Sequence, residues 1–409
     1  MTDASVDDRI GELFRRESAH LVAALVRLLG PSQVALAEDV VQEALVSAMH
    51  AWRFGMPDNP KAWILQVAKH RAIDVIRRER RMEPLLPEVD LALAPEADAD
   101  NQLAMMFAIC DEALSPETQV TLILRLLCGF SSHEIARAFL LDVTTIDRRL
   151  HRGRTRLREL GRLHDASADE ISKRQPSVEH ALYLLFNEGY HGSDAESPLS
   201  PAMCADAIRL AELLLESPVA ESRTVHALLA LFCFHAARLG ARLDADGVIV
   251  PLADQDRSRW DRALAERGVA HLGQSASGES FTRWHLEAGI AFEHTSAASV
   301  TETNWTKIVA YYDALTALTP GPVVALNRAV AVTELHGPQA GRNALAPLAN
   351  DPKLAGYSFY WAARADIERR AGGRNEAQAH YERAAALAKS RAERLSYERR
   401  IRNGAGAGT

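Results

Sequence analysis

The chain has 409 residues, with 47 Lys and Arg against 54 Asp and Glu, a net charge of −7, and a hydrophobic share of 47%. At about 150 residues per domain this is room for two or three domains with cores of their own, and the acidic balance excludes a polyanion binder that is basic all over, of the histone type. Aromatics are only 6%, Ala and Leu abound and runs of Val, Ile and Thr are scarce, which favours helices over sheets.

Residues 1–82 read as packed helices. Leu13, Leu21, Leu25, Leu28 and Leu29 form one apolar stripe, Val40, Val41, Ala44, Leu45 and Ala48 a second, and Trp63, Ile64, Val67, Ala68, Ile73 and Ile76 a third, all at helical spacing. A turn-rich gap from Arg53 to Pro60 separates the last two, and Pro57 and Pro60 forbid helix continuation there. The first fifty residues carry four basic and eight acidic groups, whereas Lys61–Met82 carries seven basic and two acidic, a local +5. Trp63 at the head of this basic helix has two readings of equal weight: a core residue, or an aromatic that stacks on an unpaired base while the cations hold phosphates.

Residues 83–101 hold three prolines and six acids with no base, the composition of a flexible acidic linker. Residues 102–163 are helical again. Ser131 followed by Glu134 is a capping pattern, Ile135, Ala136 and Phe139 give an apolar face, Leu140–Val143 make a turn, and Thr144 is expected to cap a second helix with Ile146, Leu150 and Leu157 on its apolar side. This is helix-turn-helix spacing. The second helix is again +5, seven basic and two acidic groups between Thr144 and His164, and its outward positions read as Thr145, Asp147, Arg148, Arg149 and Arg152. One such cluster is as easily a solvated face; two, each in a motif-like context, point to two separate contacts with a polyanion.

These residues carry a resemblance. Ala37-Glu-Asp-Val-Val-Gln-Glu-Ala44 and Asn59-Pro-Lys-Ala-Trp-Ile64 through Asp74-Val-Ile-Arg-Arg78 resemble region 2 of bacterial sigma-70 family factors of the extracytoplasmic-function group. Leu114-Ser-Pro-Glu-Thr-Gln-Val120, Glu134-Ile-Ala136 and Arg148-Arg-Leu-His-Arg-Gly-Arg154 resemble region 4 of the same group. The resemblance covers about 160 residues and implies roles. Asp39, Gln42 and Glu43 would grip the β′ clamp helices of core RNA polymerase, with region 4 on the β flap. Phe54, Asp58, Asn59, Lys61, Trp63, Lys69, Arg71, Arg77 and Arg78 would hold the −10 strand of promoter DNA. Thr144, Thr145, Arg148, Arg149, Arg152 and Arg154 would read the −35 element. Asp142 and Asp147 bring negative charge to the turn and the groove-facing helix; Asp147 either accepts from a cytosine amino group or repels phosphate.

A second break, expected as a linker over 164–177, leads into a long helical block, 178–409. It resembles the tetratricopeptide-like extension of a subgroup of these factors, through Ala181-Leu-Tyr-Leu-Leu-Phe-Asn-Glu-Gly-Tyr190, Asp254-Gln-Asp-Arg-Ser-Arg-Trp-Asp261 and Pro322-Val-Val-Ala-Leu-Asn-Arg-Ala-Val-Ala331. Trp361, Ala365, Ala377, Tyr381 and Ala384, with Gly372 and Gly373 at the turn, fall on the tetratricopeptide spacing, and a step back of 36 residues gives a weaker copy at Ala325, Ala329, Gly341, Leu345 and Leu348. Gly189 reads as a helix end with Tyr183, Phe186 and Tyr190 in the core, and Asp254–Asp261 as a helix start with internal Asp–Arg pairs. The competing reading makes Asn187, Glu188, Tyr190, Asp254, Asp256, Arg257 and Trp260 a docking surface, toward the sigma domains or a protein partner.

Nothing in the sequence reads as a membrane span: the longest apolar run, around Ala227 to Ala237, is about half of the ~20 residues required. The acidic N-terminus lacks the form of a signal peptide. Cys110, Cys128, Cys204 and Cys233 are expected to be free, buried thiols. No Walker loop, GxGxxG, HExxH or nucleophile elbow is present. The sequence therefore predicts a cytoplasmic, all-α, non-enzymatic chain without cofactor or metal: two small sigma domains, a helical bundle and a helix-turn-helix, and a C-terminal helical repeat that regulates them. The alternative is a stand-alone helix-turn-helix regulator with a ligand- or peptide-binding repeat domain that needs no polymerase.

Overall fold

The computed structural model describes residues 18–406 except 19–20, 23, 27–28, 30–32, 53–54, 56, 80–97, 161–165, 193–197, 218–219 and 278–280. Among the described residues the chain is all-α and has no strand; a lone antiparallel bridge joins Leu243 and Ile249. It divides into two compact units, Met1–Leu182 with Ser217–Ala220, and Tyr183–Glu216 with Glu221–Thr409.

In the first unit, α1 (Val34–Ala51) and α2 (Pro60–Glu79) pack together. Val34, Ala37, Val40, Val41, Ala44 and Ala48 of α1 and Ile64, Ala68 and Ala72 of α2 are buried, along with Leu21, Val22, Leu25 and Val26 before them. Small residues recurring at three- and four-residue steps let the two backbones approach. Asn59 Oδ1 accepts from the Ala62 amide at 3.0 Å, and Pro60, which has no N–H to leave unpaired, takes the first helical position. Leu13 and Leu28 lie outside the described residues.

Four further helices follow: α3 (Asp98–Ala108), α4 (Pro116–Leu127), α5 (Ser132–Phe139) and α6 (Val143–Leu160). Since α3 starts at Asp98, the last residues of the expected acidic linker are helical; the stretch 83–97 lies outside the described residues. The expected capping box at Ser131 is formed: its hydroxyl accepts from the Glu134 amide at 3.2 Å and its own amide donates to the Glu134 carboxylate at 2.7 Å. Leu140 closes α5 in the left-handed region at φ 52° and bends the chain into the turn.

The expected linker 164–177 is corrected by the structure. Residues Ala168–His191 form one helix, α7, with Pro176 inside it. Its first half belongs to the first unit, held by buried polar bonds: Arg174 donates to the Phe107 carbonyl at 3.0 Å and Ser177 to Gln119 Oε1 at 2.7 Å. Polar composition was the signal for a linker, yet Arg174, Gln175, Ser177 and Glu179 are buried and answered.

The second unit stacks α8 (Pro201–Glu216), α9 (Ser222–Ala236), α10 (Arg262–Ser275), α11 (Arg283–Ser296), α12 (Trp305–Leu318), α13 (Pro322–His336), α14 (Pro338–Leu345), α15 (Ser358–Arg370), α16 (Arg374–Leu387) and α17 (Arg391–Gly406). The α13–α14 and α15–α16 pairs begin 36 residues apart, Pro322 to Ser358 and Pro338 to Arg374, so the repeat spacing is a repeat in space. A Cβ on Gly341 would lie 1.9 Å from Thr333 Oγ1, which explains a glycine where α14 crosses α13. The apolar stretch around α9 is longer than the sequence suggested: Ser222–Ala241 is long and apolar enough to cross a membrane, but 72% of its most apolar window is buried by its neighbours, the mark of a core helix.

Candidate nucleic-acid interface

The second helix of the helix-turn-helix is capped by Asp142, not by Thr144 as expected. Asp142 accepts from the Thr145 amide at 2.8 Å and from the Thr145 hydroxyl at 2.9 Å. These two bonds lower the Asp142 pKa below the ordinary carboxylate value. Its negative charge in the turn is thereby spent on the positive end of α6. Thr144 is freed and exposed.

Ile146, Leu150, Gly153 and Leu157 form the buried side of α6. Gly153 is required by closeness, because a Cβ there would meet the Leu122 side chain at 2.8 Å. The outward side is an open concavity lined by Thr144, Asp147, Arg148, His151, Arg152 and Thr155. His151 and Thr155 were missed by the sequence reading; both lie one turn or more along the helix from residues already chosen, and the i, i+4 step from Asp147 would have found them. Three of the expected −35 residues turn elsewhere. Arg149 is half-buried with its guanidinium 5.4 Å over the Phe139 ring. Arg154 is paired with Glu38 at 2.5 Å. Thr145 gives its hydroxyl to the Asp142 cap.

In region 2, Asp39, Gln42 and Glu43 are exposed together on α1. The same face continues with Val46 and Met49, both 54% exposed, which the sequence reading passed over. An acidic half followed by an apolar half on one exposed face is the pattern of a protein-binding surface. Glu43 is engaged at 2.7 Å by Arg71, which also donates to the Ser47 hydroxyl at 2.8 Å. Trp63 is half-buried, edge-to-face with Trp52 at 5.9 Å between ring centres. Asn59 serves its own helix as cap, Asp58 is exposed and Lys69 half-buried. Phe54 and the side chains of Lys61, Arg77 and Arg78 lie outside the described residues.

One carboxylate joins these two parts of the first unit. Glu38, next to Asp39, meets Arg154 of α6 and, at 3.3 Å, Arg125 of α4. It is 12% exposed, so this pair of contacts is better shielded than the 62%-exposed Glu43.

The expected docking residues of the second unit are divided. Gly189 does not end its helix, which runs to His191; a Cβ there would meet the Ser200 carbonyl at 2.8 Å, so the glycine admits the start of α8. Tyr190 and Trp260 are buried, at 3% and 8% exposure, and are not a surface. Asn187 and Glu188 are half-buried, and Asp254 and Asp256 exposed. The expected Asp–Arg pairs within Asp254–Asp261 do not form among the described residues. Asp256 caps a short turn through the Ser258 amide at 2.9 Å and Asp261 caps α10 through the Leu264 amide at 3.0 Å. Arg257 reaches the carbonyls of His294 and Ala297 at 2.6 and 2.7 Å instead.

Comparison with known proteins adds to this geometry. Residues 13–82 match the model of Sigma-70 region 2, residues 111–157 that of Sigma-70, region 4, and residues 174–276 that of a family of unknown function, DUF6596. An uncharacterized protein of Rhizobium meliloti (strain 1021) is 35% identical over 372 residues, 88% of this chain and 87% of its own length. The ECF RNA polymerase sigma factor SigE of Mycolicibacterium smegmatis is 26% identical over 155 residues, 36% of this chain and 60% of its own. The RNA polymerase sigma factor CarQ of Myxococcus xanthus is 26% identical over 157 residues, 37% of this chain and 89% of its own. No solved structure matches the chain significantly.

Proposed function

Because the chain belongs to the sigma-70 family, in its extracytoplasmic-function group with a long C-terminal helical extension, we propose that it joins core RNA polymerase, directs it to promoters and leaves the chemistry to the polymerase. The observation that carries this reading is the capped helix-turn-helix whose second helix turns Thr144, Arg148, His151 and Arg152 outward, together with a separate basic helix in region 2. In this reading α6 lies in the major groove of the −35 element, where Arg148 and Arg152 donate to guanine edges or phosphates and Asp147 accepts from a cytosine amino group. Region 2 captures unstacked bases of the −10 strand, with Trp63, Lys69 and Arg71 nearest the task and Phe54, Asp58, Lys61, Arg77 and Arg78 sharing it. Asn59 sets the angle of this helix and Arg154 ties region 4 to region 2, so both act by positioning.

The acidic and apolar face of α1, from Asp39 through Gln42 and Glu43 to Val46 and Met49, is the surface for the β′ clamp helices, and region 4 meets the β flap. The exposed Arg71–Glu43 pair is of the kind worth little in water, so both groups are released at small cost when polymerase and DNA arrive. The extension regulates these two domains. Its test is run-off transcription by the full chain against residues 1–182, the piece that keeps the part of α7 packed on region 4; equal output removes the regulatory role. The sigma reading itself is tested by co-elution with core polymerase. Binding that is lost on charge reversal at Asp39 and Glu43 supports it, and no co-elution favours the stand-alone regulator.

A further inference from the structure

At the end of α9 the second unit buries an unusual concentration of positive charge. Arg238 and Arg242 are 6% and 8% exposed. Both guanidiniums lie on the buried ring of Tyr190, at 5.9 and 4.0 Å from its centre. Their polar neighbours are histidines: an Arg238 Nη faces His235 Nδ1, and an Arg242 Nη lies 3.5 Å from His191 Nδ1. Arg257 comes in from the turn before α10, stacked 4.5 Å over Trp260. Among the described residues no carboxylate is in ion-pair range of any of the three. Glu302 acts on Arg257 only through space, and Lys389 adds a further positive charge beside His191.

The histidines supply no negative charge. Burial, and then the charges of Arg238 and Arg257, hold His294 down at about 3. His235 is likewise held well below the ordinary histidine range, first by burial and then by Arg238. Meanwhile several donors find no partner among the described residues: Nε of Arg238, Nε of Arg242, one Nη of Arg257 and Nε1 of Trp260 are all buried and unanswered there.

Among the described residues these like charges are buried together with no carboxylate in ion-pair range, an arrangement that opposes folding and that apolar side chains would avoid. A purely structural role accounts for Arg257, which ties down the last carbonyls of α11. It does not account for Arg238 and Arg242. Guanidiniums pre-set against aromatic rings with spare N–H groups are suited to planar or tetrahedral oxyanions, which accept from two donors at once. His191, at the end of α7, is exposed and lies beside this centre, its Nδ1 3.5 Å from Arg242.

We propose that Arg238, Arg242 and Arg257, backed by Tyr190 and Trp260, form a binding site for a small oxyanion, the phosphate or carboxylate group of a soluble ligand. The site lies wholly within the extension and does not depend on the sigma reading. It gives a function to two of the sequence motifs, the segment ending at Tyr190 and the segment Asp254–Asp261, which the fold brings together around the same guanidiniums.

The test is calorimetric titration and thermal melting of the full chain with sodium phosphate and, separately, sodium succinate, each against sodium chloride of equal ionic strength. The expected result is saturable binding and a raised Tm with at least one of the two, and which one responds tells phosphate from carboxylate. Arg238→Gln and Arg242→Gln should each weaken that binding tenfold or more while leaving the Tm in chloride equal or higher. Should Arg242→Gln not fold, Arg242→Lys keeps the charge, loses the forked donors and should still weaken binding. The proposal is overturned if neither anion binds beyond the chloride control, or if binding is the same in the Arg242 variants as in the parent chain.

Discussion

Arg148 and Arg149 are neighbours in sequence with opposite placements, and the difference decides what each substitution should do. Arg148 is exposed in the concavity of α6, whereas Arg149 is half-buried over Phe139. Arg148→Ala should lower affinity for a −35 duplex by about 1–3 kcal/mol if the side chain reads a base, or reduce the salt slope by about 1 if it holds a phosphate. Arg149→Ala should cost stability more than DNA affinity. Fluorescence anisotropy across a salt series, with melting of each variant, separates the two; equal DNA losses would show that Arg149 also reaches the groove. At this scale the sequence was legible in kind and not in direction. It marked α6 as basic, but the helical phase of each Arg depends on the cap, and the capping residue proved to be Asp142 rather than Thr144, because a carboxylate takes both the amide and the hydroxyl of Thr145. The sequence also could not reveal that Arg154 would be drawn to Glu38, since that bond joins positions far apart in the chain.

Among elements, local signals carried furthest. The capping box at Ser131, the helix start at Pro60 and the 36-residue repeat of the extension are all set by residues within a few turns of one another, and each is found in the structure. The misread elements are those whose logic is tertiary. The polar run before Ser177 looked like a linker because its bonding partners, the Phe107 carbonyl and Gln119, belong to other helices. Gly189 looked like a helix stop because nothing local announces the backbone of Ser200 against it. Two expectations follow from such contacts. Gly341→Ala, which places a methyl on Thr333, should lower stability by about 1–3 kcal/mol, read as a fall in Tm; an unchanged Tm would mean that α14 moves away freely. Glu38→Gln removes the charge that Arg125 and Arg154 share, so regions 2 and 4 should separate more readily. Small-angle scattering of residues 1–182 should then give a larger radius of gyration, and an unchanged radius would assign the association to other contacts.

Over the whole molecule, charge is sorted rather than summed. The net −7 hides two basic helices, and the extension adds a third positive centre that composition gave no hint of, because its arginines are scattered through sequence and gathered only by the fold. Half-buried histidines, desolvated by their surroundings, make the second unit sensitive to acid. With His294 held at about 3 in the folded chain and near 6.5 when unfolded, the neutral form is favoured by folding. Its contribution is complete above about pH 6.5 and is lost as pH falls toward 3, at up to about 1.4 kcal/mol per pH unit; His235 acts in the same direction. The Tm should therefore fall between pH 7.5 and pH 5, and a flat profile would contradict histidines that the folded chain holds neutral.

The central claim is promoter recognition together with polymerase, and run-off transcription tests it most directly. Core RNA polymerase with the full chain, on the promoter region upstream of its own coding sequence, should give a discrete transcript that is absent with core alone. That transcript should be lost on Arg148→Ala with Arg152→Ala, and on charge reversal at Asp39 and Glu43. A transcript that survives both sets of substitutions would contradict the account, as would sequence-specific DNA binding by a chain that never associates with the polymerase.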